Sequence, residues 1–473
     1  MKIVYMHMHL KPGGVSTVIS QQVRALSDHC RVLVATGDDP PVDFPAPCVK
    51  IAGLGYDDPD FPEKDPPPYQ TAKAVAAAIY DRWPEGCDII HVHNPLIGKN
   101  SRLLAILDHL KAMGFPLFLQ IHDFPEDGRP GSYYLSQDYP SDCHYGAINA
   151  RDCRFLETSG LAPEGVHKLF NMVSPIDTRD LQGEALPSVL YPVRGIRRKN
   201  IGEALLLSLY FPADTPLAVT LPPNSAVDWI VYKEWIAYAG EKGLNVLFEA
   251  SSHYDFRALV ANARYLITTS ITEGFGFAFL EPWTAGKTLM GRKLPDICRD
   301  FEQKGIALEH LYESLPVPEE WIDRGAFERQ LKQCLQDTFA RYGAALNESG
   351  VSEGFERLIE KKMVDFSVLN EPLQRKVLDR LIGDQSAYRS LERLNPVLAG
   401  FRTMPDFSHV VSSNRHVIQE QYNEKKYRDR LMDTYMKVLH TPVRHKIDKS
   451  VLLRQFLCPD NFSLMKWCDH DLS

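Results

Sequence analysis

The sequence predicts an α/β protein built from two Rossmann-like domains with an additional helical region near the C-terminus. Three observations predict it. Short apolar runs alternate with helix-periodic stretches through the first 180 residues and again over 188–290, the pattern of doubly wound parallel sheets. Two glycine-bearing turns, Lys11-Pro-Gly-Gly and Ser270-Ile-Thr-Glu-Gly-Phe-Gly, each stand between a strand-like run and a helix-like one. From about Pro318 to Asn395 the chain is charged and helical in period, with no clear strand. The expected divisions are residues 1–180, 181–317, a helical insertion at 318–405, and closing helices with a tail at 406–473.

Composition narrows the class. The 473 residues are 44% hydrophobic and 24% charged, with a formal net charge of −8. That is ordinary for a globular chain and argues against a protein that coats nucleic acid. No run reaches the roughly 18 apolar residues of a membrane span. The start, Met1-Lys-Ile-Val-Tyr-Met-His, is strand-like and lacks the apolar core of a signal peptide, so a cytoplasmic location is expected. Nine cysteines without metal spacing suggest free thiols in a reducing compartment. Cys143, His144 and Cys153 lie close in sequence, yet no metal site is expected there. Asp58-Pro-Asp60 is expected to be only a turn.

In the first domain, Ile3 to Met6 predicts a strand and the segment after Gly14 an amphipathic helix to about Asp28. Gly13 and Gly14 between them allow close approach of a ligand to the backbone, or simply a tight turn. The third glycine of a dinucleotide fingerprint is missing. Strands follow at Arg31 to Ala35 and Val49 to Ile51, then a loop rich in Asp and Pro from Asp57 to Pro68, and a helix at Gln70 to Trp83. The buried run Asp88-Ile-Ile-His-Val-His-Asn-Pro ends in His93 and Asn94, with Lys99 and Asn100 just beyond. Ligands of open α/β sheets bind at such carboxyl ends. A further strand from Pro116 ends in His122-Asp123. Asp123 either orients that imidazole or caps the next turn. Glu126, Asp127 and Arg129 lie in a Pro/Gly loop that is either solvated or the lip of an acceptor site. A helix and turn at 155–165, a strand at Val166 to Val173 and a linker at Pro175 to Pro187 complete the domain.

The second domain opens on Ser188-Val-Leu-Tyr-Pro-Val-Arg-Gly. Its turn gathers Arg194, Arg197, Arg198 and Lys199, and the helix Asn200 to Leu209 follows. Four cations at one strand-to-helix turn repel each other unless an anion is present. Strand and helix alternate through 217–221, 227–239, 245–248 and 255–263. A strand to Thr268, the Ser270 to Gly276 loop and a helix from Phe277 to Ala285 end the series, with Gly286 as its stop. A helix start after a glycine-rich loop offers unpaired N–H groups and the positive dipole end. Two carboxylates flank it, Glu273 and Glu281.

Glu273-Gly-Phe-Gly276, Glu281 eight residues after Glu273, and Gly286 resemble the retaining nucleotide-sugar glycosyltransferases of family 4, which have the GT-B fold of two facing Rossmann-like domains. The resemblance covers about two thirds of the chain, most specifically Tyr191 to Lys199 and Ser270 to Gly286. It implies that Glu273 lies against the donor sugar and that Glu281 holds the ribose hydroxyls. The backbone around Gly276, Phe277 and Ala278 would hold the diphosphate. Arg194 and Lys199, five positions apart, match the family's diphosphate-binding pair, and Arg197 and Arg198 are extra cations that need only be solvated. Gly13 and Gly14 would lie near the donor phosphate, and His122 near the sugar hydroxyls. His93, Asn94, Lys99, Asn100, Asp123 and Arg129 become acceptor-side candidates. Two departures stand out. Thr284 occupies a place where the family usually has Ala, and Pro295-Asp-Ile-Cys-Arg-Asp replaces a glycine-rich turn with a third Glu. Ile418 to Leu439 resembles the closing helices of GT-B enzymes.

The expected activity is therefore transfer of a hexose, with retention, from a nucleotide diphosphate sugar to a small polar or sugar acceptor. No metal or other cofactor is expected. A nucleotide-sugar epimerase or hydrolase on the same fold, and a non-catalytic nucleotide-sugar binder, are the alternatives. Donor turnover without acceptor would mark the first, and tight donor binding without product the second. The helical region from 318 is open to an insertion or a homo-oligomer surface.

Overall fold

The computed structural model describes residues 1–58, 66–181, 183, 185–458 and 462–468. Pro59 and Asp60 of the expected Asp58-Pro59-Asp60 turn, part of the Asp57–Pro68 loop, Gln182 and Glu184 of the linker and the end of the tail lie outside them. The chain divides into two compact units. One comprises Met1–Met172 and Tyr422–Leu457, the other Val173–Gln421 and Cys458–Ser473.

The first unit is built on a seven-stranded parallel sheet. Its strands are β1 (Lys2–His7), β2 (Arg31–Thr36), β3 (Cys48–Lys50), β4 (Ile89–His93), β5 (Leu117–Ile121), β6 (His144–Ala147) and β7 (Val166–Lys168), in the order β3-β2-β1-β4-β5-β6-β7. β1 pairs with β2 on one side and β4 on the other, Ile3 standing beside both Val32 and Ile89. The order reverses between β1 and β4. That switch point is where the carboxyl ends of adjacent strands leave room for a ligand. β6 has no place in the sequence reading; His-Tyr-Gly-Ala is too short and too mixed to show a strand period.

The helix Glu424–His440 belongs to this unit. Its Tyr427, Leu431 and Tyr435 are buried with Ile3, Tyr5, Ile19 and Phe118 in one core cluster. The tyrosine hydroxyls are also accounted for, as burial requires. Tyr435 Oη bonds Tyr5 Oη at 2.9 Å and His91 Nδ1 at 2.8 Å, and Gln22 Nε2 donates to Tyr427 Oη at 2.8 Å.

The second unit carries a five-stranded parallel sheet, ordered β10-β9-β8-β11-β12, from β8 (Ser188–Arg194), β9 (Leu217–Leu221), β10 (Val246–Leu247), β11 (Ala263–Thr268) and β12 (Leu289–Gly291). Its order reverses between β8 and β11, which pair in register at Leu190↔Leu266. The segment from 318 is mostly helical, and it also holds strands. β13 (Pro316–Pro318), β14 (Ile359–Glu360) and β15 (Met363–Asp365) form an antiparallel sheet, ordered β13-β15-β14. Strands of two or three residues are below what sequence periodicity resolves.

Two further expectations are corrected here. Phe277 to Ala285 is not one helix. Phe277–Phe279 is a 3₁₀ turn, and a four-residue α-helix, Glu281–Thr284, follows with Pro282 in its first turn. Proline lacks the N–H that would continue the first turn into the second. The cysteines are not all free thiols, since Cys334 and Cys468 form a disulfide.

Candidate active site

In the second unit the cationic turn after β8 and the Glu273 loop after β11 issue from adjacent strands, so the sheet order brings them together. The hydroxyl of Tyr191, wholly buried in β8, fastens them. It donates to the Lys199 carbonyl at 2.6 Å, accepts from the Thr269 amide at 3.2 Å and meets Ser270 Oγ at 3.3 Å. Thr269 Oγ1 adds bonds to the carbonyls of Lys199 and Asn200, both at 3.0 Å. Asn200 itself sits in the left-handed region, with φ of 52°, and caps the following helix through the Glu203 amide, a conformation asparagine tolerates better than most residues.

On this frame Lys199 Nζ lies 2.5 Å from Glu273 Oε1, with both side chains largely buried. Burial raises the Glu273 carboxyl, but the Lys199 charge and hydrogen bond, Ser270 and the Arg198 charge together hold it below its usual value. It is a carboxylate with cations around it. Glu281 is the opposite case. Burial and the nearby Glu273 charge push it up to about 7, and among the described residues no cation is paired with it. Two neighbouring carboxyls whose environments push them apart are the usual mark of divided roles. Gly276 is left-handed, with φ of 91°, and a Cβ there would stand 2.9 Å from Ile297 Cγ2. The first bond of the 3₁₀ turn runs from the Phe279 amide to the Gly276 carbonyl, so the amides of Phe277 and Ala278 precede the ladder. Phe275 anchors the loop by packing on Phe277 and Phe301.

The other cations of the turn differ in use. Arg194 Nη1 donates to the Pro222 carbonyl at 2.9 Å. Arg197 is not a solvated extra. Its guanidinium grips the Glu371 carboxylate at 2.7 and 2.8 Å and donates to the Cys468 carbonyl at 2.5 Å. Arg198 keeps a buried Nε with no hydrogen-bond partner. Thr284, unusual for the resembled family, has work of its own. Its hydroxyl donates to the Glu281 carbonyl at 2.7 Å and accepts from the Ile176 amide at 3.1 Å.

In the first unit Gly13 and Gly14 are exposed. Gly13 is extended, with φ of 173°, and a Cβ at Gly14 would meet nothing within 4 Å. The fold of the unit does not itself demand glycine there. His122, after β5, is held closely. His93 Nδ1 lies 2.8 Å from His122 Nε2, with the rings stacked. Asn94, left-handed with φ of 51°, accepts from the amides of His122 and Asp123 at 2.7 and 3.0 Å. The Asp123 carboxylate pairs with Arg129 at 2.7 Å. Burial lowers the His122 ring to about 4 and the His93 ring well below its ordinary value, so both are neutral near pH 7.

Several acceptor-side candidates are thereby reassigned. His93 and Asn94 are buried supports of His122. Asn100 is fully buried, donating to the carbonyls of Gly53 and Gly55 at 2.8 and 2.7 Å. Lys99 is exposed. Glu126 is not a loop lip: it is fully buried, accepts from Tyr139 Oη at 2.8 Å and is raised by burial to about 7. Among the described residues no cluster of three metal-ligating side chains occurs.

No family model matches the chain. It is 25% identical to mannosylglucosyl-3-phosphoglycerate synthase of Petrotoga mobilis, over 97% of this chain and 98% of that protein. Two solved structures share the fold. Alr3699/HepE of Anabaena, solved in complex with UDP-glucose, superposes with a TM-score of 0.54 at 14% identity, covering 92% of this chain and 99% of that one. Sucrose-phosphate synthase of Thermosynechococcus elongatus gives 0.52 at 12% identity, covering 92% and 98%. The chain is a GT-B glycosyltransferase similar to family 4. Both parallel sheets of this GT-B glycosyltransferase, with their switch points, are those expected of its fold. No helix among its described residues is long and apolar enough to cross a membrane.

Proposed function

We propose that the chain moves a hexose from a nucleotide diphosphate sugar, with retention, to a small acceptor that carries phosphate or carboxylate groups. The observation that carries the donor half is the Lys199–Glu273 pair beside Arg198, the Phe277 and Ala278 amides and the unpaired Glu281. The diphosphate takes Lys199 and Arg194, the pair the resemblance implies, with Arg198 beside Glu273 as a third cation. The departing nucleoside diphosphate then has its growing charge met by groups already fixed in place, which is where such contacts count most. Lys199 leaves Glu273 for the phosphates, and the freed carboxylate faces the sugar whose anomeric carbon becomes positive. Glu281 holds the ribose hydroxyls.

His122 is neutral and acts as a hydrogen-bond partner of sugar hydroxyls rather than as an acid or base. Its Nε2 is taken by His93, so Nδ1 is the nitrogen left for substrate. The acceptor class rests on the Petrotoga relative, whose name describes a product bearing phosphate and a glyceric acid unit. Lys99, exposed in the first unit, supplies a cation for such an acceptor, and Arg129 is the second candidate.

The test is a screen of nucleotide sugars by thermal shift, followed by product analysis with phosphorylated glycerate acceptors and assignment of the new anomeric centre by NMR. A matching donor at about 100 times its Kd stabilises by roughly 2.7 kcal/mol. Lys199→Ala should weaken nucleoside diphosphate binding at least about tenfold, since each charge-assisted contact contributes about 1.5–3 kcal/mol. Unchanged calorimetric affinity in Lys199→Ala would move the donor site elsewhere, and an inverted product would refute the reaction class.

A further inference from the structure

The second unit holds a cavity of about 560 Å³ at the β12 edge of its sheet, a volume in the range of small-molecule sites. One wall is Lys293-Leu294-Pro295, where the resembled family has its glycine-rich turn, together with Ile271 of the Glu273 loop. The other wall is the β14–β15 hairpin and Arg357, part of the segment outside the resemblance.

The walls are fixed to each other by a buried charge network. Arg292 follows β12, and its guanidinium bonds Glu203 at 2.9 and 2.8 Å and Asp365 of β15 twice at 2.8 Å. Tyr312 Oη donates to Glu203 Oε1 at 2.7 Å. Arg292 and Glu203 are 3% and 0% exposed. Closing or opening the cavity would separate buried charges, which is strongly unfavourable, so its shape is preformed.

The hairpin tip is the second observation. Glu360 pairs with Met363, leaving Lys361 and Lys362 as a two-residue turn with φ of 52° and 63°. Such turns favour Asn-Gly, because both positions are left-handed. Two lysines there are a strained choice that places a cation at the cavity mouth, and strain of this kind collects where a ligand is handled. Arg292 is shared by two carboxylates, Glu203 and Asp365, so this network adds no positive charge to the lining. The remaining charged lining is Lys293, Arg357 and Lys361 against Glu313 and Glu360. Lys293 pairs with Glu302 at 2.8 Å and Glu313 at 3.4 Å, Lys361 with Glu360 at 3.4 Å, and Arg357 with Glu353 at 3.6 Å. The two lining acids are 60% and 80% exposed and can swing into solvent.

We propose that this cavity binds a small organic anion, a phosphate or carboxylate on a short carbon skeleton, through Lys293, Arg357 and Lys361. The apolar floor of Leu294, Pro295 and Val364 takes the skeleton. The site goes beyond the donor and acceptor reading and stands whether or not the Glu273 loop handles a nucleotide sugar.

The test titrates 3-phosphoglycerate by calorimetry into the full chain and into Lys361→Glu, Lys361→Gly and Lys199→Ala. Lys361→Glu should weaken the probe at least about tenfold, while Lys199→Ala leaves this affinity unchanged. Lys361→Gly relaxes the turn, so it should unfold at a higher temperature yet bind the probe less tightly. Inorganic phosphate and glycerate, each added as competitor, tell a phosphate-reading site from a carboxylate-reading one. Absence of binding by the parent, equal affinity in Lys361→Glu, or displacement by neither competitor overturns the proposal.

Discussion

Glu273 and Glu281 are eight positions apart and differ in what surrounds them, and that difference predicts different kinetics. Glu273→Gln keeps the shape and removes the charge proposed to face the sugar, so kcat should fall by about 10²–10³. Glu281 is proposed to hold ribose hydroxyls, which do not change during reaction, so Glu281→Gln should mainly raise the donor KM. Equal, small effects on kcat would remove the assignment of roles. Their titrations separate them as well. The folded Glu281 carboxyl is raised to about 7 from 4.5, so the folded state binds its proton more tightly than the unfolded chain does. Below pH 4.5 both states are protonated and the group is neutral to stability. As pH rises from 4.5 through 7 the buried charge progressively costs the fold. Glu281→Gln should therefore gain on the parent between pH 5 and pH 8, by about 2 kcal/mol after allowing for partial solvent access. Denaturation curves at the two pH values measure this, and a difference independent of pH would refute it. These glutamates were legible in the sequence because the loop that carries them is local. The uses of Arg197, His93 and Asn100 were not. Glu371 is 174 residues from Arg197, and the burial of His93 depends on strands on both sides of it.

At the scale of elements, most strand and helix runs agree with the sequence reading within a residue or two. The helix expected from Phe155 begins earlier, at Ala150, and the strand expected over Val166 to Val173 ends at Lys168. The other disagreements have physical causes. Pro282 breaks the expected helix into a 3₁₀ turn and a single α turn. β6, β14 and β15 are too short to show alternation. The helix Glu424–His440 lies almost wholly within the stretch that resembles the closing helices of GT-B enzymes, and it joins the first unit as that resemblance implies. Because it packs with β1 and β5, Leu431→Ala should cost about 2–5 kcal/mol. Hydrogen exchange gives the readout: the amides of β1 and β4 should lose protection while those of β8 and β11 keep theirs. Loss of protection in the second sheet instead would show that the helix stabilises something other than the first unit.

For the whole molecule, the cysteine pattern carried no hint of pairing, because Cys334 and Cys468 are 134 residues apart and belong to no spaced motif. Yet the disulfide bears on the proposed donor turn. It fixes residue 468, whose carbonyl takes the Arg197 guanidinium, and Arg197 is two residues from Lys199. Ser463 adds a bond to the Ser367 carbonyl at 2.9 Å, and Trp467 packs on Phe462. A crosslink over so long a loop removes much freedom from the unfolded chain, and such disulfides contribute about 2–4 kcal/mol. Cys334→Ser should thus lower the unfolding temperature of the second unit. It should also raise the donor KM a few-fold, because Arg197 loses one of its anchors, while kcat at saturating donor stays near the parent value. Reduction of the parent with a small thiol should reproduce both effects. A lowered unfolding temperature with an unchanged donor KM would confine the disulfide to stability and break the link from the end of the chain, through Arg197, to Lys199.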